Sequence, residues 1–481
     1  MVMKNFKNKL ILLGSAFSIV FITSCEDFLS TSPESFMTPE EFLNSRSWAE
    51  SSLSGVYKTF HSEYYQFDMF INGDVTADLA YAGGDNNANF EIDDLKVTPT
   101  NGNVARDWRY LYEAIGTTNA FLSKIDSIQD ESFSQVDKDK MKGEVMFVRA
   151  VHYFNLVQLW GGVPLVLKAD DQGSSNLPRA SVDDVYAQIV NDLEFGVEHL
   201  PSTSSYEGRI RKAAAQGLLA KVYATKPAKD YNKVLEYCNA VLADGQYSLL
   251  PNYEFLFDGQ HENSSESLFE IQFLANVAGN WGVQLFLPPS VTQDGWKKFN
   301  TPSKELVDAY DAEGDVLRKS AGILFEDVSG KYSDDIWGTY MPFSYKLKQP
   351  NGWNSSNNII YLRLADIILL KAEALNELNN LTDAATELNK IRARVNLDPV
   401  NPGTQAEMRL AIEKERMLEL ALEGHRWFDL KRTGRALNVM KAAGTRKPNQ
   451  TYSYIDANDL LWPIPQSERD KNPALTQNPG Y

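Results

Sequence analysis

Residues 209–249 read RIRKAAAQGLLAKVYATKPAKDYNKVLEYCNAVLADGQYSL and spell out a closed pair of antiparallel helices. Ala215, Leu218, Leu219 and Val222 fall at i, i+3, i+4 and i+7, one apolar stripe at helical period. Pro227 interrupts that pattern, so residues 226–230 make the turn. Tyr231, Val234, Leu235, Cys238, Val241 and Leu242 carry the second stripe. Asp244-Gly245 ends it, because glycine tolerates the left-handed backbone that a helix C-terminus needs. Ala213, Ala214, Ala215 and Ala220 let the two backbones approach closely.

Ala220 and Tyr223, three apart, match the small-then-aromatic spacing of a tetratricopeptide hairpin. Such a hairpin cannot bury its stripe alone and so predicts neighbours. One neighbour is residues 364–395, where Ala365, Ile368, Leu369, Ala372 and Leu375 form a stripe. Ala384, Leu388, Ile391 and Val395 form the next, with Thr382 and Asp383 placed to cap that helix. Further helices are predicted near residues 41–60, 106–128, 139–160, 181–200 and 406–423. The fold class is therefore mainly α: a scaffold of about four helical hairpins with a large insertion.

The chain begins with a targeting segment, residues 1–24. Lys4, Lys7 and Lys9 give it a positive start, and residues 10–22 an apolar run too short to span a membrane convincingly. Ile22-Thr23-Ser24-Cys25 resembles a lipobox, with small residues for the peptidase and a thiol to take the diacylglyceryl group. Cys25 is thus the predicted lipidation site, bearing acyl chains such as palmitate. Residues 25–40 are its tether, and 41–481 the folded part.

The composition is globular, at 43% hydrophobic and 11% aromatic residues. Of two cysteines, Cys25 is assigned to lipid and Cys238 sits on a helical stripe, so packing and not disulfides must hold the exported chain. The net charge of −17 argues against nucleic acid and against anionic headgroups as partners.

Two stretches lack helical period. Residues 74–99 are rich in Asp, Asn and Gly, and read as a solvated polar loop. Asp74, Asp78 and Tyr81 there are candidates for contacts to ligand hydroxyls. Clustered oxygens admit calcium, yet no Asp-x-Asp-x-Asp-Gly register exists, so no cofactor or metal is expected. Residues 250–361 form the insertion, with a strand-like run at 268–274. It holds Trp281, Trp296, Trp337 and Trp353, four of the chain's nine tryptophans. Turn residues surround each one, and flat indole faces flanked by Asn, Gln and Asp suit a sugar: the ring stacks on its C–H face while amides meet its hydroxyls. Trp281 and Trp296 lead this set.

The run Glu423-Gly424-His425-Arg426-Trp427-Phe428-Asp429-Leu430-Lys431-Arg432 has no His-Glu-x-x-His or other ligand spacing and reads as a structural charge network. No phosphate loop, nucleophile elbow or dinucleotide fingerprint occurs, so the chain is not read as an enzyme.

Assembled in order, these pieces resemble the SusD/RagB family of outer-membrane nutrient-binding lipoproteins. The resemblance rests on Gly143 with Arg149-Ala150-Val151-His152-Tyr153-Phe154 and Gly162-Val163-Pro164; on Lys212-Ala213-Ala214-Ala215; on Lys371-Ala372-Glu373-Ala374-Leu375-Asn376; on the Glu423–Arg432 run; and on Pro463-Ile464-Pro465, Asn472-Pro473 and Gln477-Asn478-Pro479-Gly480-Tyr481. Glu26 and Asp27, directly after the cysteine, are similar to the family's surface-export signal. The resemblance implies four tetratricopeptide-like hairpins with a less regular subdomain. It further implies an outer-membrane lipoprotein facing the exterior and a SusC-like TonB-dependent transporter as partner. The implied ligand is an oligosaccharide or polysaccharide, with a peptide as the alternative. A surface glycoside hydrolase, needing two facing carboxylates, and a pure adaptor are the other classes. The family's ligand-contacting positions vary, so the tryptophans rest on the loop argument alone.

Overall fold

The computed structural model describes residues 39–169, 176–204, 206–293, 295, 298–328, 333–443 and 452–481. Cys25, the targeting segment, Glu26 and Asp27, and also Trp296, lie outside them.

The scaffold helices are α1 (Arg46–Tyr57), α2 (Gly102–Ile125), α3 (Gln135–Trp160), α4 (Val182–His199), α5 (Lys212–Thr225), α6 (Tyr231–Ala243), α7 (Leu364–Glu377), α8 (Leu381–Arg394), α9 (Gln405–Glu419) and α10 (Arg426–Arg432). Each of α2 through α6 packs against the next, and α6 packs directly on α7, although the insertion separates them in sequence. The insertion thus leaves the stack and returns to the same place. The α5–α6 hairpin forms as its two stripes predict: Asp230 caps α6 by accepting from the Asn232 and Lys233 N–H groups, and Gly245 follows it with φ +75°. Helix α8 is capped not by Thr382 or Asp383 but by Asn380, whose side chain accepts from the Asp383 N–H. The helix starts two or three residues earlier because Asn380, outside the helical backbone region, already supplies the acceptor.

Helix α3 is buried on nearly every side along its length after Gly143, so it forms the centre of the core. Its polar residues are individually satisfied. Arg149 donates two bonds to Asp192 on α4, at 2.8 and 2.7 Å, and one to Asn119 on α2 at 2.9 Å.

The insertion carries antiparallel strands: β2 (Ser267–Ile271) pairs with β6 (Ile359–Arg363), and β4 (Ile323–Asp327) with β5 (Tyr340–Ser344). A further short pair, β1 (Ala80–Tyr81) with β3 (Thr301–Pro302), ties the N-terminal segment to it. A Cβ at Gly217 of α5 would meet Leu268, Leu362 and Ile367 within 3.1 Å, so this glycine lets the β2–β6 pair lie close on the helices.

A buried charge network fastens insertion to scaffold. Arg363 at the end of β6 donates to Glu266, Glu419 and Glu423, Arg318 pairs with Asp315, Glu415 and Glu419, and Lys346 reaches Glu423 at 2.6 Å. Burial opposes the Glu423 charge, yet Arg363 and Lys346 outweigh it and hold its pKa down at about 2; the same balance holds Glu419 well below its ordinary range. Folded pKa values below the unfolded ones contribute stability above the unfolded value, and it is lost as pH falls through the folded one. Thermal unfolding followed from pH 7 to pH 2 is therefore expected to show Tm falling steeply below about pH 5. A Tm flat down to pH 3 would contradict this role for the network.

Candidate ligand-binding surface

Two loops of the insertion knit into a platform. Leu274 and Ala278 form one tight bridge and Asn351 and Trp353 another. The two loops join through the Asn280–Ser355 bridge, whose N–H···O bonds measure 2.8 and 3.0 Å. Amides lock them further: the Asn276 N–H donates to Asn354 Oδ1 at 3.0 Å, Asn354 Nδ2 donates to Asn276 Oδ1 at 2.9 Å, and Asn280 Nδ2 to the Asn357 carbonyl at 3.0 Å. Gly279 is required here, since a Cβ would lie 2.0 Å from Asn354 Oδ1. On this frame Trp353 is 52% exposed, beside Leu274 and Val277 at 59% and 79% in the loops that form it. The large apolar side chains stand in water while the backbone under them is held by eight-residue-apart and cross-loop hydrogen bonds, among them Gln349 N–H to Asn357 Oδ1.

Trp281 follows Asn280 on the same frame but is half-buried. Its ring lies 6.2 Å from Phe67, and its backbone N–H donates to Gln66 Oε1 at 2.9 Å. Much of its face therefore belongs to the core. Trp337 is also half-buried: its indole N–H donates to the Pro302 carbonyl at 3.2 Å, and its edge meets Phe325 at 5.7 Å. Phe325 in turn stacks on Tyr340 at 5.3 Å, and Tyr340 is 59% exposed. Sequence reasoning passed over this Phe325–Tyr340 pair. The signal was available only as an aromatic on each arm of a turn-rich strand pair.

Asp74, Asp78 and Tyr81 are buried, and residues 74–99 are ordered into a π-helical turn, a short strand and a helix where the sequence predicts a solvated loop. Asp74 is fully buried in a π-helical turn, Ile71–Val75, where it accepts from the Gly424 N–H at 2.9 Å. Burial pushes its pKa well above the ordinary carboxyl range, opposed by that N–H. Asp78 takes both forks of Arg426, at 2.7 and 2.8 Å, and Tyr81 donates to Asp334 at 2.6 Å. Asn86 caps a helix, Asn87–Asp93, and Asp93 accepts from the Ala82 N–H. Asp74, Asp78 and Tyr81 fold inward because each meets a partner distant in sequence, whereas Asp85 and Asn87 of the same segment are exposed.

The same pairing accounts for the Glu423–Arg432 run. Asp429 takes Arg416 and Arg432, Arg432 forks onto Glu373, and Lys221 Nζ lies 2.8 Å from His425 Nδ1 and 2.9 Å from Asp366. Desolvation, reinforced by Lys221, lowers the His425 pKa to about 4, so the ring is neutral at pH 7 and accepts from the ammonium. Among the described residues no three His, Cys, Asp or Glu side chains converge as a metal site requires, and no helix is long and apolar enough to cross a membrane.

Fold and surface together define a helical-hairpin scaffold presenting loop-borne aromatics. Comparison with known proteins places it. Residues 325–481 match the SusD family, and residues 27–224 match a SusD-like family described as starch-binding and associating with the outer membrane. The chain belongs to the SusD/RagB family. It is 28% identical over 525 aligned positions to SusD-like protein P2 of Formosa agariphila, covering 100% of both chains. It is 25% identical to the starch-binding protein SusD of Bacteroides thetaiotaomicron, covering 87% of this chain and 86% of that one. Among solved structures it superposes on a SusD homologue from Bacteroides thetaiotaomicron with a TM-score of 0.80 at 25% identity, covering 92% of this chain and 99% of the other. A laminarin-binding SusD-like protein superposes with a TM-score of 0.76 at 26% identity, covering 91% and 100%.

Proposed function

We propose that this chain is a non-enzymatic, lipid-anchored protein of the outer cell surface. It captures an oligosaccharide or polysaccharide and passes it to a SusC-like TonB-dependent transporter. The observation that carries the binding half is Trp353, an indole half in water on a loop frame locked by reciprocal Asn276–Asn354 amide bonds. A rigid, exposed ring costs little entropy to stack on a sugar, and the neighbouring amides offer donors and acceptors for hydroxyls. The starch-binding and laminarin-binding relatives favour glycan over peptide as ligand. An affinity screen of the purified protein across plant, host and microbial glycans and a peptide library tests this. A glycan hit without new reducing ends is expected; hits confined to peptides, or release of reducing ends, would overturn it.

The anchor rests on the lipobox residues Ile22-Thr23-Ser24-Cys25. Cys25→Ala is expected to leave the protein unprocessed or to move it out of the membrane fraction. Wild-type membrane association of that variant in cells lacking the transporter would refute the anchor.

A further inference from the structure

In a protein of net charge −17, one cavity has only cations among its charged lining residues. It measures about 300 Å³ and lies between the ends of α3 and α5, the start of α4, and α10; its charged lining is Lys226, Lys229, Lys431 and Arg432. Arg432 is compensated by Glu373 and Asp429. The three lysines pair with no carboxylate among the described residues. Lys431 donates to the Gln158 carbonyl and Lys229 to the Arg432 carbonyl, and Lys226 lies 5.0 Å over the Tyr223 ring. Capping these helix-end carbonyls uses one N–H of an ammonium that carries three. Arg179, beside Gly161 at the cavity wall, likewise spends its donors on neutral acceptors: the Gly162, Trp160 and Thr476 carbonyls and Asn478 Oδ1.

Glu373 and Glu377 act on Lys229 from a distance, but unspent donors on lysines without an ion-pair partner, around a space large enough for a monosaccharide, call for an anion. The geometry points to an oxyanion site: this cavity takes a carboxylate, sulfate or phosphate group, free or carried on a small sugar acid. The site is separate from the Trp353 platform and stands without it.

Desolvation lowers the Lys431 pKa to about 7. The other titratable or charged groups facing it are Lys226, Lys229 and Arg432, and Tyr186, whose phenol burial keeps protonated. Lys431 gains its charge as pH falls through 7, so anion binding strengthens in that direction.

The purified protein is titrated calorimetrically at low salt with glucuronate, inorganic sulfate, inorganic phosphate and, as neutral control, glucose. Expected is 1:1 binding of at least one anion at pH 6, about tenfold weaker at pH 8.5, and about tenfold weaker in Lys431→Gln, the scale of one hydrogen bond to a charge. Glucuronate binding alone assigns the cavity to an acidic sugar; equal binding of an inorganic ion assigns it to the free oxyanion. Lys229→Gln, at an exposed position, gives the same loss should Lys431→Gln fail to fold. Trp353→Ala leaves anion binding unchanged, which separates this site from the glycan platform. No anion binding at pH 6, binding of glucose as tight as of glucuronate, or wild-type affinity in the folded lysine variants would overturn the site.

Discussion

Arg363→Met is expected to unfold at a markedly lower temperature than the parent while its isolated helices remain good helix formers. Arg363 is buried and is the shared donor of Glu266, Glu419 and Glu423. Methionine matches its length but leaves these carboxylates fewer cations: Arg394 for Glu266, Arg318 and Arg394 for Glu419, and Lys346 for Glu423. Removing one member of a buried ion network costs about 3–5 kcal/mol, because charges remain that water cannot reach. For a chain of this size that is a Tm decrease of roughly 3–6 °C, since unfolding entropy scales with length. The variant should regain part of the loss near pH 4, where protonating a carboxylate no longer costs the network its cation. A Tm equal to wild type at pH 7 would show that the network does not join insertion to scaffold.

The scaffold was legible because its signals are local. The stripe from Ala215 to Val222, the break at Pro227 and the stop at Gly245 all act within one hairpin, and the observed α5 and α6 follow them. The cap of α8 was misplaced by two or three residues because Asn380, Thr382 and Asp383 are all competent acceptors, and only the backbone path selects one. Residues 74–99 were misread for the opposite reason. Asp74 and Asp78 look like loop residues by composition, yet their partners Gly424 and Arg426 lie about 350 residues downstream, at separations of 350 and 348. Nothing local announces such a pair.

The tryptophans divide on the same ground. Trp281 and Trp353 sit in equally turn-rich sequence, but Gln66 and Phe67 claim Trp281, and the Pro302 carbonyl claims the Trp337 indole. Trp353 meets no such claim among the described ring contacts and stays half in solvent. The order of candidates is therefore changed by long-range packing, with Trp353 now first and the unforeseen Tyr340 beside Phe325 a second aromatic surface.

The second large effect expected is on ligand capture. Trp353→Ala removes the exposed stacking face without touching the Asn280–Ser355 bridge or the Asn276–Asn354 amide pair beneath it. Truncating a well-packed interface aromatic costs about 1–3 kcal/mol. The dissociation constant should then rise roughly 5- to 150-fold. Trp281→Ala should cost thermal stability as well as affinity, because its ring is shared with Phe67. Calorimetric titration of Trp353→Ala with the glycan found by the screen, with circular dichroism and Tm as controls on folding, tests the account most directly. An unchanged Tm with at least about a fivefold weaker glycan affinity is the predicted result; a folded variant that binds the glycan as tightly as wild type would contradict it.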